Sequence, residues 1–282
     1  MVRFEKWQAL GNDYLIVEAE RLPWELTPQR VRLICEPHFG LGTDGILLLS
    51  RAEDRRHVAE LRVFNPDGSE AELSGNGARQ AALYLRSAGW TAEDEFSIRT
   101  PAGEIRPRIT GPDTATLAMG RASLASADYP SGGSDGTGRV TAGGREWRFQ
   151  HVAIGNPQCV IDAGEEVEEL DLTAIGPQIE GSDLFPNRTN VSFVRIDGSE
   201  VRARIFERGV GETLSSGTGA SGAAVAAFLR RRASPISVRL DGGELTVEVD
   251  HDLDVRLTGT AEPVFAGELS QQLVSALATA GP

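Results

Sequence analysis

The sequence contains a single lysine, Lys6. A pyridoxal-phosphate enzyme needs a lysine for its Schiff base, and Lys6 falls in an expected first strand with no phosphate-cradling loop beside it. Histidine is sparse: His38, His57, His151 and His251 stand far apart, and no two have metal-ligand spacing. Cys35 and Cys159 lie far apart and form no close pair. An enzyme built on this chain is therefore expected to use no cofactor: no pyridoxal phosphate and no tightly held metal. Two isolated cysteines are not a disulfide framework, and both are expected as reduced, buried thiols. No stretch approaches the roughly 18 apolar residues of a membrane span. The opening MVRFEKWQALGND has no basic segment followed by an apolar one, so it does not read as a signal peptide. Basic charge is also short. The net charge is −13, and the basic residues are scattered apart from Arg230, Arg231 and Arg232, a run suited to a helix C-terminus. A nucleic-acid partner is set aside on that ground. These absences fit a cytoplasmic protein with a small-molecule partner and no membrane; a homodimer is compatible with them.

What is present is a chain of 282 residues, 40% apolar and 24% charged, the balance of a folded globular protein with room for two domains. The chain also repeats itself. Arg62-Val63-Phe64 is followed, ten residues after its Phe, by Ser74-Gly75-Asn76-Gly77-Ala78; Arg204-Ile205-Phe206 is followed at the same interval by Ser216-Gly217-Thr218-Gly219-Ala220. The offset is constant (204 − 62 = 142, 216 − 74 = 142), and Glu70 and Glu212 share it. Ala9-Leu10-Gly11-Asn12 and Ala153-Ile154-Gly155-Asn156 form a second pair, offset by 156 − 12 = 144.

Each half thus reads as one unit: a Val/Ile/Phe-rich strand, a Gly-rich polar loop, and a helix opened by that loop. Ala78, Ala81, Ala82 and Leu85, and likewise Ala220, Ala223, Ala224, Ala227 and Phe228, recur at helical spacing. Such small residues suit central, tightly surrounded helices. Short alternating strands are expected over Glu104–Ile109, Thr114–Met119, Ile236–Leu240, Leu245–Val249 and Leu253–Leu257, and a short helix over Gln271–Ala280. Ala122–Gly144, rich in Ser, Gly, Asp and Pro, reads as a linker. The expected fold class is α+β: two pseudo-symmetric duplicated domains, each a mostly antiparallel sheet wrapped around a central helix. Their expected bounds are 1–121, completed by 266–282, and 122–265.

A helix N-terminus presents unpaired backbone N–H groups and partial positive charge, and glycine lets a ligand come close. Gly75-Asn76-Gly77 and Gly217-Thr218-Gly219 are therefore candidate anion cradles. Inverting a carbon beside a carboxylate needs one group to remove a proton from one face and another to supply one to the opposite face. Duplicated domains sharing a cleft could supply both, with the helix N-termini stabilising the charge that develops on the carboxylate. The residues at that place in the loops are Ser74 and Ser216.

The chain resembles the diaminopimelate epimerase family over nearly its whole length, through Leu10-Gly11-Asn12-Asp13, Gly42-Thr43-Asp44-Gly45, Phe64-Asn65-Pro66-Asp67-Gly68-Ser69-Glu70, Gly75-Asn76-Gly77-Ala78-Arg79, Gly155-Asn156-Pro157, Asn190-Val191, Glu207-Arg208-Gly209 and Gly211-Glu212-Thr213. The resemblance implies a cofactor-independent epimerase of lysine and cell-wall synthesis, interconverting LL- and meso-diaminopimelate. It implies that Asn12, Asn65, Asn156 and Asn190 grip the distal end of the amino-acid substrate. Glu207 and Arg208 are implied to read its ammonium and carboxylate, and Gly75, Asn76, Gly217 and Thr218 to cradle the reacting carboxylate.

The catalytic positions depart from that pattern. The family places a cysteine where this chain has Ser74 and where it has Ser216. Gln158 stands where a histidine is usual, and Gln80 where a cysteine is common. An unperturbed thiol titrates near 8.5 and a helix N-terminus lowers it. A serine hydroxyl needs a neighbouring base, and neither loop contains a histidine or lysine. Three readings stay open: an epimerase using the serines or another group, a same-fold isomerase of another small carboxylate, and a non-catalytic amino-acid binder.

Overall fold

The computed structural model describes residues 2–281. In chain order its elements are β1 (Arg3–Ala9), β2 (Asn12–Glu18), α1 (Pro28–Cys35), β3 (Ile46–Ser50), β4 (Ala59–Phe64), β5 (Glu70–Ala71), α2 (Gly75–Ser87), β6 (Ile98–Thr100), β7 (Gly103–Ile105), β8 (Arg108–Ile109), β9 (Thr114–Arg121) and β10 (Thr137–Ala142). There follow β11 (Arg145–Ile154), β12 (Asn156–Asp162), α3 (Leu172–Glu180), β13 (Asn190–Asp197), β14 (Glu200–Glu207), β15 (Gly211–Thr213), α4 (Gly217–Arg231), β16 (Ile236–Leu240), β17 (Gly243–Val249), β18 (Asp254–Thr260), β19 (Glu262–Glu268) and α5 (Gln271–Thr279). None of the described helices is long and apolar enough to cross a membrane.

The chain divides into two compact units. The first holds the residues up to Leu117 and those from Gly259 on; the second is Ala118–Thr258. The return to the first unit comes earlier than residue 266, because β19 pairs antiparallel with β1 (Arg3 with Glu268, Phe4 with Gly267). The first unit's sheet runs β19-β1-β2-β3-β4-β6-β7, with β5 beside β4; in the second unit the order is β10-β11-β12-β13-β14-β16-β17-β18, with β15 beside β14. Seven strands match in order and direction, β19 through β7 with β10 through β17, and β18 has no counterpart in the first unit's sheet. β2–β3 and β4–β6 are parallel in the first unit, β12–β13 and β14–β16 in the second, among otherwise antiparallel neighbours. The repeat visible in the sequence is a repeat of topology.

Strand alternation builds the first unit as layers. Tyr14, Ile16, Leu47, Leu49 and Leu61 face one side of the sheet and pack with Ala81, Ala82 and Leu85 of α2. Phe4, Leu15, Val17, Ile46 and Leu48 face the other and pack with Val31 and Ile34 of α1 and Leu277 of α5. Each fully buried Leu or Ile contributes about 1.5–3 kcal/mol over exposure. In the second unit α4 is buried on every side through Ala220, Ala223, Ala224, Ala227 and Phe228, the mark of a central helix. Its small residues are required by close neighbours: a Cβ on Gly219 would lie 2.6 Å from Ile205 Cδ1, and one on Gly222 would lie 2.8 Å from Gln158 Cγ.

Ala122–Gly144 is not a plain linker. It contains β10, which pairs with β11, and Tyr129, which is buried with Phe149 and Phe185. The apolar signal is masked because Gly138 supplies no side chain of its own; Tyr129 and Phe149 occupy the space its Cβ would take. Glu104–Ile109 is likewise two short strands, β7 and β8, interrupted at Arg106-Pro107, where proline removes a donor. The two thiols are free and buried. Burial pushes Cys35 up to about 12, and Cys159 well above its ordinary range, so neither can stand in for a reactive thiol.

Candidate active site

Two serines cap the two central helices. Ser74 precedes α2 in extended conformation, and its Oγ accepts from Gly77 N–H at 3.1 Å. Ser216 precedes α4 in the same way and accepts from Gly219 N–H at 3.3 Å. In each case the cap fixes the first turn, which opens with Gly75 and Asn76 in α2 and with Gly217 and Thr218 in α4. The glycines are sterically needed at the third position: a Cβ on Gly77 would lie 2.8 Å from Leu47 Cδ2.

Around Ser74 the first unit assembles part of the expected set. Tyr14, two residues beyond Asn12 on the same face of β2, donates its phenol proton to Ser74 Oγ at 3.3 Å. Gln80 Nε2 donates to the Asn12 carbonyl at 2.9 Å, tying β2 to α2. Asn12 Nδ2 donates to Asp44 Oδ2 at 3.0 Å. The Asp44 carboxyl is pushed above its usual range, mainly by burial and then by the neighbouring Asp13. Asn65 stands apart from this network: its side-chain amide bonds to Ser69 Oγ at 3.0 Å within its own turn. Arg79 is wholly buried on α2, donating to Asn76 Oδ1 at 2.7 Å and to the Gly75 carbonyl at 3.3 Å. Burial alone lowers its guanidinium to about 10. Lys6 is ion-paired with Asp13 and donates to the Gly42 carbonyl at 2.7 Å.

Around Ser216 the second unit joins its set more completely. Asn190, buried at the start of β13, donates to the Pro157 carbonyl at 3.3 Å and accepts from the Arg208 amide at 2.8 Å. Asn156 Oδ1 accepts from Gln158 Nε2. The Arg208 guanidinium is exposed and donates to the Asn187 carbonyl at 2.8 Å. Glu180, a buried carboxylate on α3, accepts from the Gly209 amide at 2.7 Å and so holds the turn that presents Arg208. Glu207 accepts from Thr213 Oγ1 at 3.0 Å and is hydrogen-bonded to the Ser216 side chain. Burial raises the Glu207 carboxyl above its ordinary value, and these two hydrogen bonds partly offset the rise.

Sequence reasoning missed Tyr14, Thr213, Arg79 and Glu180. Tyr14 carried a readable signal, the same strand face as Asn12. The others depend on long-range packing. Among the described residues no group of histidine, cysteine, aspartate and glutamate side chains forms a metal cluster.

Solved structures with this fold include ones named as a proline racemase, a hydroxyproline epimerase and phenazine biosynthesis proteins. A probable proline racemase from Agrobacterium radiobacter K84 superposes with a TM-score of 0.66 at 16% identity, covering 96% of this chain and 93% of its own. A hydroxyproline epimerase from Agrobacterium vitis gives 0.65 at 19% identity, covering 94% and 91%. The Bacillus anthracis phenazine biosynthesis protein of the PhzF family gives 0.66 at 18%, covering 95% and 99%. At that identity the likeness defines the fold. The sequence goes further: the diaminopimelate epimerase family model matches residues 4–125 and 150–264, and the chain belongs to that family. Named relatives include a diaminopimelate epimerase of Synechococcus sp. (strain JA-3-3Ab), 39% identical over 280 residues, covering 95% of this chain and 98% of the relative. Diaminopimelate epimerase 2 of Nostoc sp. is 40% identical over 281 residues, covering 96% and 97%.

Proposed function

We propose that this protein is a cofactor-independent amino-acid epimerase that interconverts LL- and meso-diaminopimelate in the cytoplasm by proton transfer at the α-carbon. The observation that carries the reading is the pair of serine-capped helix N-termini, Ser74–Gly77 and Ser216–Gly219, at equivalent places in a duplicated fold. Two-base inversion requires two acid–base groups, and the serine-capped turn occurs twice in the chain. The opening amides of such a helix, those of Gly75 and Asn76 or of Gly217 and Thr218, suit a reacting carboxylate and the enolate-like charge that forms when the proton leaves. Asn12, Asn65, Asn156 and Asn190 hold the distal amino-acid end, with Glu207 for the ammonium and Arg208 for the carboxylate. Cys35 and Cys159, both free and buried, suit a reducing compartment.

The test is proton NMR of LL- and meso-diaminopimelate with the protein in D₂O. Loss of the α-proton signal with interconversion of the stereoisomers is the expected result. Binding without either change would show an amino-acid binder. Absence of both binding and exchange would move the activity to another small carboxylate, the reading that Ser74, Ser216, Gln80 and Gln158 favour over the family's usual reaction.

A further inference from the structure

A buried cation is normally paired with a buried anion, because taking an unpaired charge out of water is costly. Arg79 departs from that rule. It is wholly buried on α2. It donates through Nη1 to the Gly75 carbonyl at 3.3 Å and through Nη2 to Asn76 Oδ1 at 2.7 Å, both neutral acceptors. Its Nε has no partner among the described residues. No carboxylate among them acts on it: burial alone lowers the guanidinium, to about 10, and it stays charged at neutral pH. The side chain runs back toward the helix N-terminus, as long side chains on a helix do, so the charge lies beside the first turn of α2.

The second unit holds the control. At the offset of the serines, Arg79 matches Ser221 and Gly75 matches Gly217 (221 − 79 = 142, 217 − 75 = 142). Ser221 is also wholly buried, and its Oγ donates to the Gly217 carbonyl at 2.8 Å. The equivalent carbonyl is thus held by a neutral hydroxyl, and α4 begins under a serine cap as α2 does. Anchoring the first turn needs no charge. What Arg79 adds over Ser221 is a positive charge and a further bond, to the Asn76 side chain.

These additions act on the turn itself. The Gly75 carbonyl and the Asn76 N–H belong to one peptide group, so a donor on the oxygen polarises the N–H, as linked hydrogen bonds do. A guanidinium has no acceptor atom, so the Asn76 amide can meet it only through oxygen, which holds that side chain in a single orientation. The charge adds to the partial positive charge of the helix end. We infer that Arg79 is a positioning residue that makes the first turn of α2 a charged carboxylate site, stronger than the matching turn of α4. It supplies the counter-charge, polarises the Asn76 amide and holds the Asn76 side chain, without itself touching the ligand. A carboxylate at the turn gives the buried guanidinium the anion it lacks. This deepens the proposed function, on which it rests for the presence of a carboxylate substrate, and it assigns the larger share of carboxylate binding to Gly75 and Asn76.

The test uses acetate and its neutral isostere acetamide, each titrated at constant ionic strength into the nitrogen-15-labelled full chain while the Gly75, Asn76 and Gly77 amide resonances are followed by NMR. In wild type acetate should bind about tenfold more tightly than acetamide, the scale of a charge effect at a partly buried helix end. Arg79→Gln keeps a neutral donor and should weaken acetate by about that tenfold factor while leaving acetamide nearly unchanged. Arg79→Lys keeps the charge and should retain most of the preference. A purely structural anchor would weaken both ligands together in Arg79→Gln, and that result, like wild-type affinity for acetate, would overturn the proposal. Wild type alone gives a second reading, independent of whether Arg79→Gln folds: Gly75 and Asn76 should saturate at lower acetate than Gly217 and Thr218. Equal responses, or none at Gly75 and Asn76, would sink it. Acetate is not the substrate, so a protein that shows the acetate pattern and does not turn over diaminopimelate tells against the substrate and not against Arg79.

Discussion

Ser74 and Ser216 cap their helices, and the proposed function gives each hydroxyl a second role. Replacing both by cysteine puts a thiol at each of the two helix N-termini, where thiolates are favoured. Ser74→Cys with Ser216→Cys should therefore raise the epimerisation rate at least tenfold. An unchanged rate in the folded double variant would show that the hydroxyls are not simple replacements. Glu207 allows a prediction about pH. Its folded-state carboxyl titrates above its ordinary value because of burial. The folded protein then holds the proton more tightly than the unfolded chain does, so this group's stabilising contribution is full below the unfolded value near 4.3. It is lost as pH rises through the folded value. Glu207→Gln should remove that fall, giving a higher denaturation midpoint than wild type at pH 7 in urea titrations. A lower midpoint at pH 7 and an unaltered slope against pH would show that the Glu207 hydrogen bonds outweigh its burial. Stability gained at the expense of turnover is the expected signature of a buried functional carboxylate.

At the scale of elements, the caps and glycines of α2 and α4 were legible in the sequence because local rules set them: a serine three residues before the glycine whose amide it accepts, then alanines at helical spacing. The matched pairs Arg62–Glu70 and Arg204–Glu212, seen first as a repeat, are ion pairs at 2.8 and 2.7 Å. Tyr14–Ser74, Ser216–Glu207 and the Glu180 anchor were not legible, since each joins residues whose approach is fixed only when strands pair and helices dock. The β10 segment was missed because Gly138 yields its space to Tyr129 and Phe149. The same use of glycine predicts the behaviour of α4. Gly222→Ala puts a Cβ 2.8 to 2.9 Å from Gln158 Cγ and Cβ, against a side chain that is itself fully buried. Overpacking of this kind costs about 1–3 kcal/mol, more than the gain of roughly 0.5–1 kcal/mol that alanine brings to a helix interior. Chemical denaturation should show a net loss of stability. A net gain would mean that Gln158 moves aside freely.

At the scale of the whole molecule the two units share the order of seven strands but are unequal in continuity. The second unit is one stretch, Ala118–Thr258, whereas the first is closed by residues from Gly259 on. That return supplies β19, the partner of β1 along Arg3–Gln8. It also brings Leu269 and Leu277 into the cluster of Phe4, Leu15, Val31 and Leu48. Losing a buried leucine costs about 2–5 kcal/mol, and two such losses together with a strand's pairing rival the roughly 5–15 kcal/mol that keeps a domain folded. Deleting residues 262–281 should therefore abolish slow hydrogen exchange across β1 to β4, while β11 to β14 keep theirs. Equal loss in both sets would show that the second unit does not hold its fold by itself. Retention in both would show that β19 and α5 are dispensable additions. The sequence points to 266–282 as completing the first unit and begins that segment late, because β19 carries exposed Val264 and Phe265 and reads as the edge of whichever sheet takes it. Its place is decided by register with β1, and through β1 and β2 it reaches Tyr14 and the Ser74 loop.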